Sequence, residues 1–436
     1  MKTRFLMLAS ALLAAATSSS TWSKELSQLK VLYVGSERTT EFVAFLKHNV
    51  AQVESRPRAQ FNPADAAPFD VVLLDWPQGP ENRDMANLKS PIGPRASWTR
   101  PTVLLGSAGL NLAVTWKLKG GTGCTCLDPL AYDLHSHPIF EQPFKIERKL
   151  VRIPTPPDFR GEIKADEIEI LPLVEDHKRN WPAGWCSYSY DFAQNPDVEF
   201  FCSGVNHKTP TAAALWRQGN LLHFGFEQSP AEMNETGQKL LLNAIAYISR
   251  FTQDRPIAVT PSVFAGPVAR SRGSVVRALK NQEYQLPWLK EDFAPELWNR
   301  IASMSRDQML EWAQKDSAFL RPDATQKLEL DPDLQALGTP FDKPEFFEKA
   351  IAGLRAGGKD AERANRLLQR YVSGGPRETG ADQWNAWWNE NKTYLFASDA
   401  GDYRWYIDPL AKQRGVPTNQ LRGISRADTP MLTVNQ

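Results

Sequence analysis

Apolar positions fall along this chain in two regimes. Leu29–Val34 is a short apolar strand candidate, Thr40–Asn49 carries Phe42, Val43, Phe45 and Leu46 at helical spacing, and Val50–Val53 is a second strand candidate. Phe69–Leu74 and Thr102–Leu105 are β-branched or aliphatic runs bounded by Pro, Gly and Asp, the look of parallel strands buried on both faces. Leu221–Phe226 is another such run. The helix expected after it, Met233–Phe251, puts Leu240, Leu241, Ala244, Ile245 and Ile248 on one side. Alternation of strand and helix predicts an α/β domain, a doubly wound and mostly parallel sheet, over residues 29–252.

Past that point the pattern changes. Pro256, Pro261, Gly266, Pro267 and an Arg-Ser-Arg-Gly run break the periodicity, so residues 253–275 read as a linker. Over 276–426 the spacing is helical: Pro295–Lys315, Lys343–Arg355, Asp360–Val372 and Gly380–Tyr394 are helix candidates. The middle pair, joined by Ala356-Gly357-Gly358-Lys359, reads as an αα-hairpin, and Tyr403–Ile407 is the one strand-like run there. Residues 427–436 lack periodicity and read as a mobile tail.

Composition adds a compartment. Lys2 and Arg4 precede an unbroken apolar or small-residue run from Phe5 to Ala16, and Ala14-Ala15-Ala16 supplies a cleavage site, so residues 1–16 read as a signal peptide. The run is shorter than the roughly 20 residues that cross a bilayer, which argues against membrane insertion. An exported protein, periplasmic or secreted, is expected. With Lys+Arg 51 against Asp+Glu 50 the formal charge is +1, so no strong field recruits nucleic acid. Fourteen Trp suit sugar platforms or core filling. Trp384, Trp387 and Trp388 share one helical face, a buried one by the simpler reading.

Three passages of the first domain, Val31-Leu-Tyr-Val-Gly, Trp116-Lys-Leu-Lys-Gly-Gly followed by His137-Pro-Ile, and Gly219-Asn-Leu-Leu-His-Phe-Gly-Phe, resemble the ThuA-like branch of the class I glutamine amidotransferase-like fold. The resemblance implies a flavodoxin-like α/β domain. It also implies a sharp elbow after Thr102–Leu105 bearing a nucleophilic cysteine. Here that turn is Gly106-Ser107-Ala108-Gly109, and the family's histidines are unmatched, so the domain reads as catalytically degenerate. The second domain, through Gln383-Trp384-Asn-Ala-Trp387-Trp388-Asn-Glu-Asn391 and Tyr403-Arg-Trp-Tyr-Ile-Asp-Pro-Leu-Ala, is similar to helical modules of exported planctomycete-type proteins.

Candidate chemistry gathers in two places. Clefts of open α/β sheets lie at the carboxyl ends of their strands, which selects Glu37, Asp75, Trp76, Ser107 and Glu227 as ligand-binding candidates. Ser107, Cys124 and Glu227 are weak catalytic candidates, since a nucleophile needs an adjacent base and no histidine partner is evident. The second place is Gly120 to His137. Cys124, Cys126, His135 and His137 are of metal-ligating type, although paired zinc cysteines commonly stand two to four residues apart rather than one. Export favours oxidation of Cys124, Cys126, Cys186 and Cys202 to disulfides, with the pairing open. No cofactor is implied. The leading expectation is a non-catalytic, exported protein that binds a small polar ligand or glycan and carries a helical module able to bind a protein partner. The alternatives are a hydrolase or isomerase acting on a sugar derivative through its carboxylate cleft, and a structural or assembly protein.

Overall fold

The computed structural model describes residues 25–79, 87–118, 123–188, 194–257, 268–280, 289–377, 380–399 and 402–428. Residues 1–16, expected as a signal peptide, lie outside the described residues, as do residues 258–267 of the expected linker and 429–436 of the expected tail.

Five parallel strands form the centre: β1 (Lys30–Val34), β2 (Gln52–Arg56), β3 (Val71–Asp75), β4 (Thr102–Leu105) and, far along the chain, Leu221–Phe224. Their spatial order is β2-β1-β3-β4 followed by Leu221–Phe224, the flavodoxin-like order. Alternate residues feed opposite layers. Val31, Tyr33, Val71, Leu73, Val103 and Leu105 pack with Phe42 and Leu46 of α1 (Thr39–Lys47) and with a later helix, Glu235–Ile248. Leu32, Val34, Val72, Leu74 and Leu104 pack with Leu110, Leu112 and Ala113 of α2 (Ala108–Trp116). Helices thus cover both faces, and every residue of β3 is buried, as its unbroken run Val-Val-Leu-Leu-Asp requires.

The pattern did not single out an antiparallel wing that extends this sheet. It comprises β5 (Gly123–Leu127), β6 (Leu130–Leu134), β7 (Val151–Pro154), β8 (Glu167–Pro172), β9 (Gly184–Tyr188), β10 (Val198–Gly204) and β11 (Ala212–Gln218). β11 joins the parallel part by pairing with β12, the Leu221–Phe224 strand. The whole sheet has twelve strands in the order β2-β1-β3-β4-β12-β11-β10-β6-β8-β7, with β9 branching from β11 and β5 pairing with β9. Helix Glu235–Ile248, now α3, follows β12 and is capped by the Asn234 side chain, which accepts from Gly237 N.

The C-terminal part is mainly helical: α4 (Arg272–Lys280), α5 (Pro295–Ala302), α6 (Arg306–Lys315), α7 (Pro332–Leu337), α8 (Glu345–Ala356), α9 (Gly358–Tyr371), α10 (Ala381–Asn391) and α11 (Pro409–Arg414). Two small hairpins, β13 (Leu320–Pro322) with β14 (Leu328–Leu330) and β15 (Leu395–Ser398) with β16 (Arg404–Ile407), complete it. The expected αα-hairpin forms as α8–α9, turning at Gly357 and Gly358, whose positive φ values of 79° and 52° suit glycine. Trp384 is buried, and Trp388 stacks on Phe347 with ring centroids 4.3 Å apart, so this aromatic face is core.

Two segments expected to be loose are held. Residues 272–275 belong to α4, not to a linker. Ala427 and Asp428, assigned from sequence to a mobile tail, are fixed: Ala427 packs on the sheet core and Asp428 N donates to Arg250 O at 2.7 Å. The cause is an ion chain whose Arg217, Asp254, Arg426 and Asp408 side chains are fully buried. Arg426 donates to both carboxylate oxygens of Asp254 (2.9 and 2.8 Å) and of Asp408 (2.7 and 3.1 Å), and Arg217 links Asp254 (2.7 Å) to Glu199.

Candidate functional site

In the order β2-β1-β3 the chain leaves β1 toward one edge and returns to β3 on its other side, and this reversal is where open sheets place a ligand. The residues just past the strand ends meet there. Asp75 closes β3 and is wholly buried. It accepts from Tyr33 Oη at 2.5 Å and from Arg38 Nε at 3.0 Å, with Arg38 Nη2 on its other oxygen. Tyr33 reaches it because Gly35 has no side chain: a Cβ there would lie 2.6 Å from the hydroxyl. Arg38 stands at the N-terminus of α1, against the helix dipole. Its placement is explained by its partners, which also include the Glu227 backbone carbonyl and, at 3.9 Å, Glu227 Oε1.

Glu227 comes from the segment after β12 and crosses to the turn after β4. Its Oε2 accepts from Ser107 N at 2.8 Å and from Ser107 Oγ at 3.1 Å. Gly106 makes this contact possible. Its φ is +49°, and a Cβ on it would fall 1.9 Å from Glu227 Oε2. The elbow named from the family resemblance is therefore real as a backbone shape, with a carboxylate lodged on it. Burial pushes the Glu227 carboxyl up to about 7, against the opposing pull of the Arg38 charge and the Ser107 hydrogen bonds.

Outside this inner group, Arg58 donates to both oxygens of Glu37 (2.6 and 2.7 Å) and to the Asp75 carbonyl (2.9 Å), and lies over the Trp76 ring. The Arg58 hydrogen bond holds the Glu37 carboxyl below its usual range. Asn111, one turn along α2 from Ser107, donates to Trp76 O at 3.0 Å. Its Oδ1 is buried with no hydrogen-bond partner among the described residues.

All five ligand-binding candidates, Glu37, Asp75, Trp76, Ser107 and Glu227, thus stand at one end of the sheet. Selecting residues just past the strand ends missed Tyr33, Arg38, Arg58 and Asn111. Arg38 directly follows Glu37, and that adjacency of opposite charges just past a strand was the available signal. Ser107 is a double hydrogen-bond donor, and the residue that makes the tight turn is Gly106.

The disulfide expectation is corrected, and the cysteine and histidine side chains are placed as follows. Among the described residues no group of three His, Cys, Asp or Glu side chains can hold a metal ion. His137 caps the turn Pro138–Phe140 by accepting from Ile139 N at 3.1 Å, and its ring lies against Phe201. His135 is half exposed, with Asp133 Oδ2 3.8 Å from its Nε2. The two-bridge disulfide framework is absent: Cys186 and Cys202 are buried free thiols, while Cys124 and Cys126 stand as a vicinal pair on β5 with Cα atoms 5.4 Å apart. Cys124 is outside the Glu227 cluster and sits in register opposite Cys186 on β9. His223 is buried and stacked on Trp216 at 3.7 Å, and neither ring nitrogen has a hydrogen-bond partner among the described residues. Burial pushes it down to about 3, so it stays neutral. A cavity of about 400 Å³ lies elsewhere, bounded by residues such as Tyr132, Leu134, Leu150 and Ile168, and contains none of the candidates.

No family model and no curated protein matches this chain. Among solved structures it is similar to a protein described as a GMP synthase component from Thermoplasma acidophilum, at 13% identity and TM-score 0.31, over 51% of this chain and 94% of that one. It is also similar to a ThuA-like protein from Bacteroides uniformis, at 13% identity and TM-score 0.31, over 54% of this chain and 96% of that one. Likeness at this level carries no function across, and the description of the fold rests on the strand order itself.

Proposed function

We propose that this is an exported protein whose α/β part binds a small polar ligand, a carbohydrate by preference, without chemically changing it, and whose helical part is an interaction module. The observation that supports binding over catalysis is the state of the elbow. Where the fold would present a nucleophile, Ser107 gives both its N–H and its hydroxyl to one oxygen of Glu227. The neighbouring carboxylate, Asp75, is committed to Tyr33 and Arg38. A ring of donors and acceptors held in place by one another suits the recognition of hydroxyl groups more than proton transfer. A thermal-shift and glycan-array survey of the full exported chain tests this. Saturable binding of a mono- or oligosaccharide, weakened by Arg38→Met, is the expected outcome, and absence of any sugar ligand at millimolar concentration overturns it.

One observation favours a hydrolase as the second reading. The Ser107 hydroxyl lies 3.1 Å from a carboxyl whose proton affinity is centred at about 7, so Glu227 could accept the proton as Oγ attacks an acyl carbon. Labelling by a fluorophosphonate, lost in Ser107→Ala, would establish that reading in place of the first.

A further inference from the structure

The antiparallel wing comes apart at one place. β8 pairs with β7 from Ile170↔Val151 to Glu167↔Pro154, but on its other side the ladder with β6 stops at Ile170↔Tyr132. The cause is a bulge in β6. Against β10, Leu134 stands opposite Cys202 and Tyr132 opposite Ser203, so Asp133 is one residue too many, and it takes a φ of 49°. The extra residue bends β6 away with β10, and β8 runs on without it. The parting exposes backbone. Thr155 N donates to Asp166 O on the β7 side of β8, and Leu173 N donates to Pro129 O on the β6 side. Carried along β8 with the strand's period of two, these bonds turn the N–H and C=O groups of Glu167 and Glu169 toward the parting. Neither residue makes a backbone hydrogen bond to β6 among the described residues.

The same parting holds the cavity of about 400 Å³, walled by residues 132–134 of β6 and 167–169 of β8. Leu134, Leu150, Ile163 and Ile168 give it an aliphatic floor, and Leu150 is 43% exposed. Around that floor stand the exposed carboxylates of Asp133, Glu167 and Glu169, with Arg148 the one cation among the lining residues. The paired side of β8 shows what fits its Glu-Ile-Glu alternation: β7 lays Ile153 opposite Ile168 and Arg152 opposite Glu169, with Arg152 Nε 3.4 Å from Glu169 Oε1. We propose that the open side of β8 receives the same pattern from another protein, as an extended segment reading basic, aliphatic, basic. The aliphatic side chain enters the cavity beside Ile168, and the flanking cations face Glu167 and Glu169, whose side chains alternate to the other side of the strand. The backbones of the two basic residues take the hydrogen bonds that Glu167 and Glu169 hold open, so the segment adds as a strand. This surface is separate from the Glu227 cluster, and the inference does not depend on the carbohydrate reading.

Fluorescence anisotropy of a labelled, capped peptide Thr-Lys-Ile-Lys-Thr with the full chain tests this. Saturable binding is expected. It should weaken about tenfold or more in each of three altered peptides: glutamates in place of the lysines, asparagine in place of the isoleucine, and methyl groups on both lysine backbone nitrogens. On the protein side, the pair Glu167→Lys and Glu169→Lys should cost a similar factor, and so should Leu150→Asp, which puts a carboxylate on the aliphatic floor. All three positions are exposed, so these variants keep the native fold. Equal binding of the glutamate or the asparagine peptide would mean that the acidic rim or the floor does not select the segment, and unchanged binding of the methylated peptide would mean that no strand is added. Any of these overturns the proposal. So does an absence of binding at millimolar peptide, or binding that survives both the paired glutamate substitution and Leu150→Asp.

Discussion

Two buried carboxylates of the α/β part have been driven in opposite directions. Glu227 at the elbow is raised to about 7 and Glu199 on β10 is lowered to about 2. Burial acts on both in the same sense, raising them, so the difference lies in the company. Glu199 is gripped by Arg217 and by His137, and also accepts from Tyr247 at 2.8 and 3.0 Å. Glu227 has two hydrogen bonds from one serine and a guanidinium at 3.9 Å whose closer partner is Asp75. The Glu199 end belongs to an alternating chain of charge, Glu199–Arg217–Asp254–Arg426–Asp408, that ties the C-terminal segment to the sheet. The Glu227 end is under-compensated. A structure that holds charge for stability pairs it fully, and one that holds charge for a ligand leaves it partly unpaired.

The largest expected effect comes from breaking the well-paired side. Arg426→Met leaves Asp254 and Asp408 buried without their shared cation, a loss of about 3–5 kcal/mol by analogy with other severed buried ion pairs. Denaturant titration reads it directly. Arg38→Met should cost clearly less, because Asp75 keeps Tyr33 and Glu227 keeps Ser107. Equal losses at the two arginines would erase the distinction drawn between the two regions.

The second effect is a pH slope of opposite sign at each end. Glu227 is an acid raised in the folded state, so the folded protein binds the extra proton between about 4.5 and about 7. Its contribution to stability therefore increases as pH falls through that window, by on the order of 3 kcal/mol at most. Glu199 is an acid lowered in the folded state. Its stabilisation is present above about 4.5 and is lost as pH falls toward about 2. Asp197, raised to about 6 chiefly by burial, adds a slope of the same sign as Glu227, so the measurement is a difference. Unfolding free energies at pH 8, 6, 4.5 and 3 should show a flatter upper limb in Glu227→Gln and an unchanged lower limb. An unchanged upper limb in that variant removes the claim that Glu227 is under-compensated.

These features were unequally visible in the amino-acid sequence. Asp75, Ser107 and Glu227 were found because each follows an apolar run, and the end of a buried strand is a place that hydropathy marks. The Ser107–Glu227 contact was not legible, since it joins residues 120 apart and depends on a glycine dihedral. Tyr33 hid inside its own apolar strand. The antiparallel wing was overlooked because β5 and β9, Gly-Cys-Thr-Cys-Leu and Gly-Trp-Cys-Ser-Tyr, lack a β-branched run, although Glu167-Ile-Glu-Ile in β8 alternates plainly. The ion chain was beyond reach for a further reason: Arg426 looked like the last residue before a polar tail, and only the placement of Asp254 and Asp408 turns it into a buried tie.

Gly106→Ala sharpens the elbow from another side. The substitution puts a Cβ in the place of Glu227 Oε2 and asks alanine to hold a φ of +49°, so a loss of about 1–3 kcal/mol is expected. Part of that loss is steric and part is backbone strain. In a Glu227→Ala background the steric part has nothing to act on, so the double variant should cost less than the two single losses added together. Strict additivity would mean that Gly106 serves the turn alone and that the carboxylate seat is incidental.

The smallest effect concerns the thiols, and it tests what burial without a counter-charge does. Cys186 and Cys202 are both pushed up to about 12 by burial, the same force that lifts Glu227. A thiol is already neutral at pH 7, so the shift costs its folded state nothing there, whereas a carboxyl raised to about 7 is disfavoured in its ordinary charged form. The thiols should therefore be silent in two respects. Neither should react with a disulfide reagent in the native protein at pH 8, since the reactive thiolate is scarce and the sulfur is covered. Cys186→Ala should also leave the stability slope between pH 4.5 and 7 unchanged, whatever it costs in packing. Two thiols appearing only on addition of denaturant is the expected count from this pair. Rapid native labelling of either one would mean that the sheet opens around β9 or β10, and that the quiet, well-paired half of the molecule is less closed than its ion chain implies.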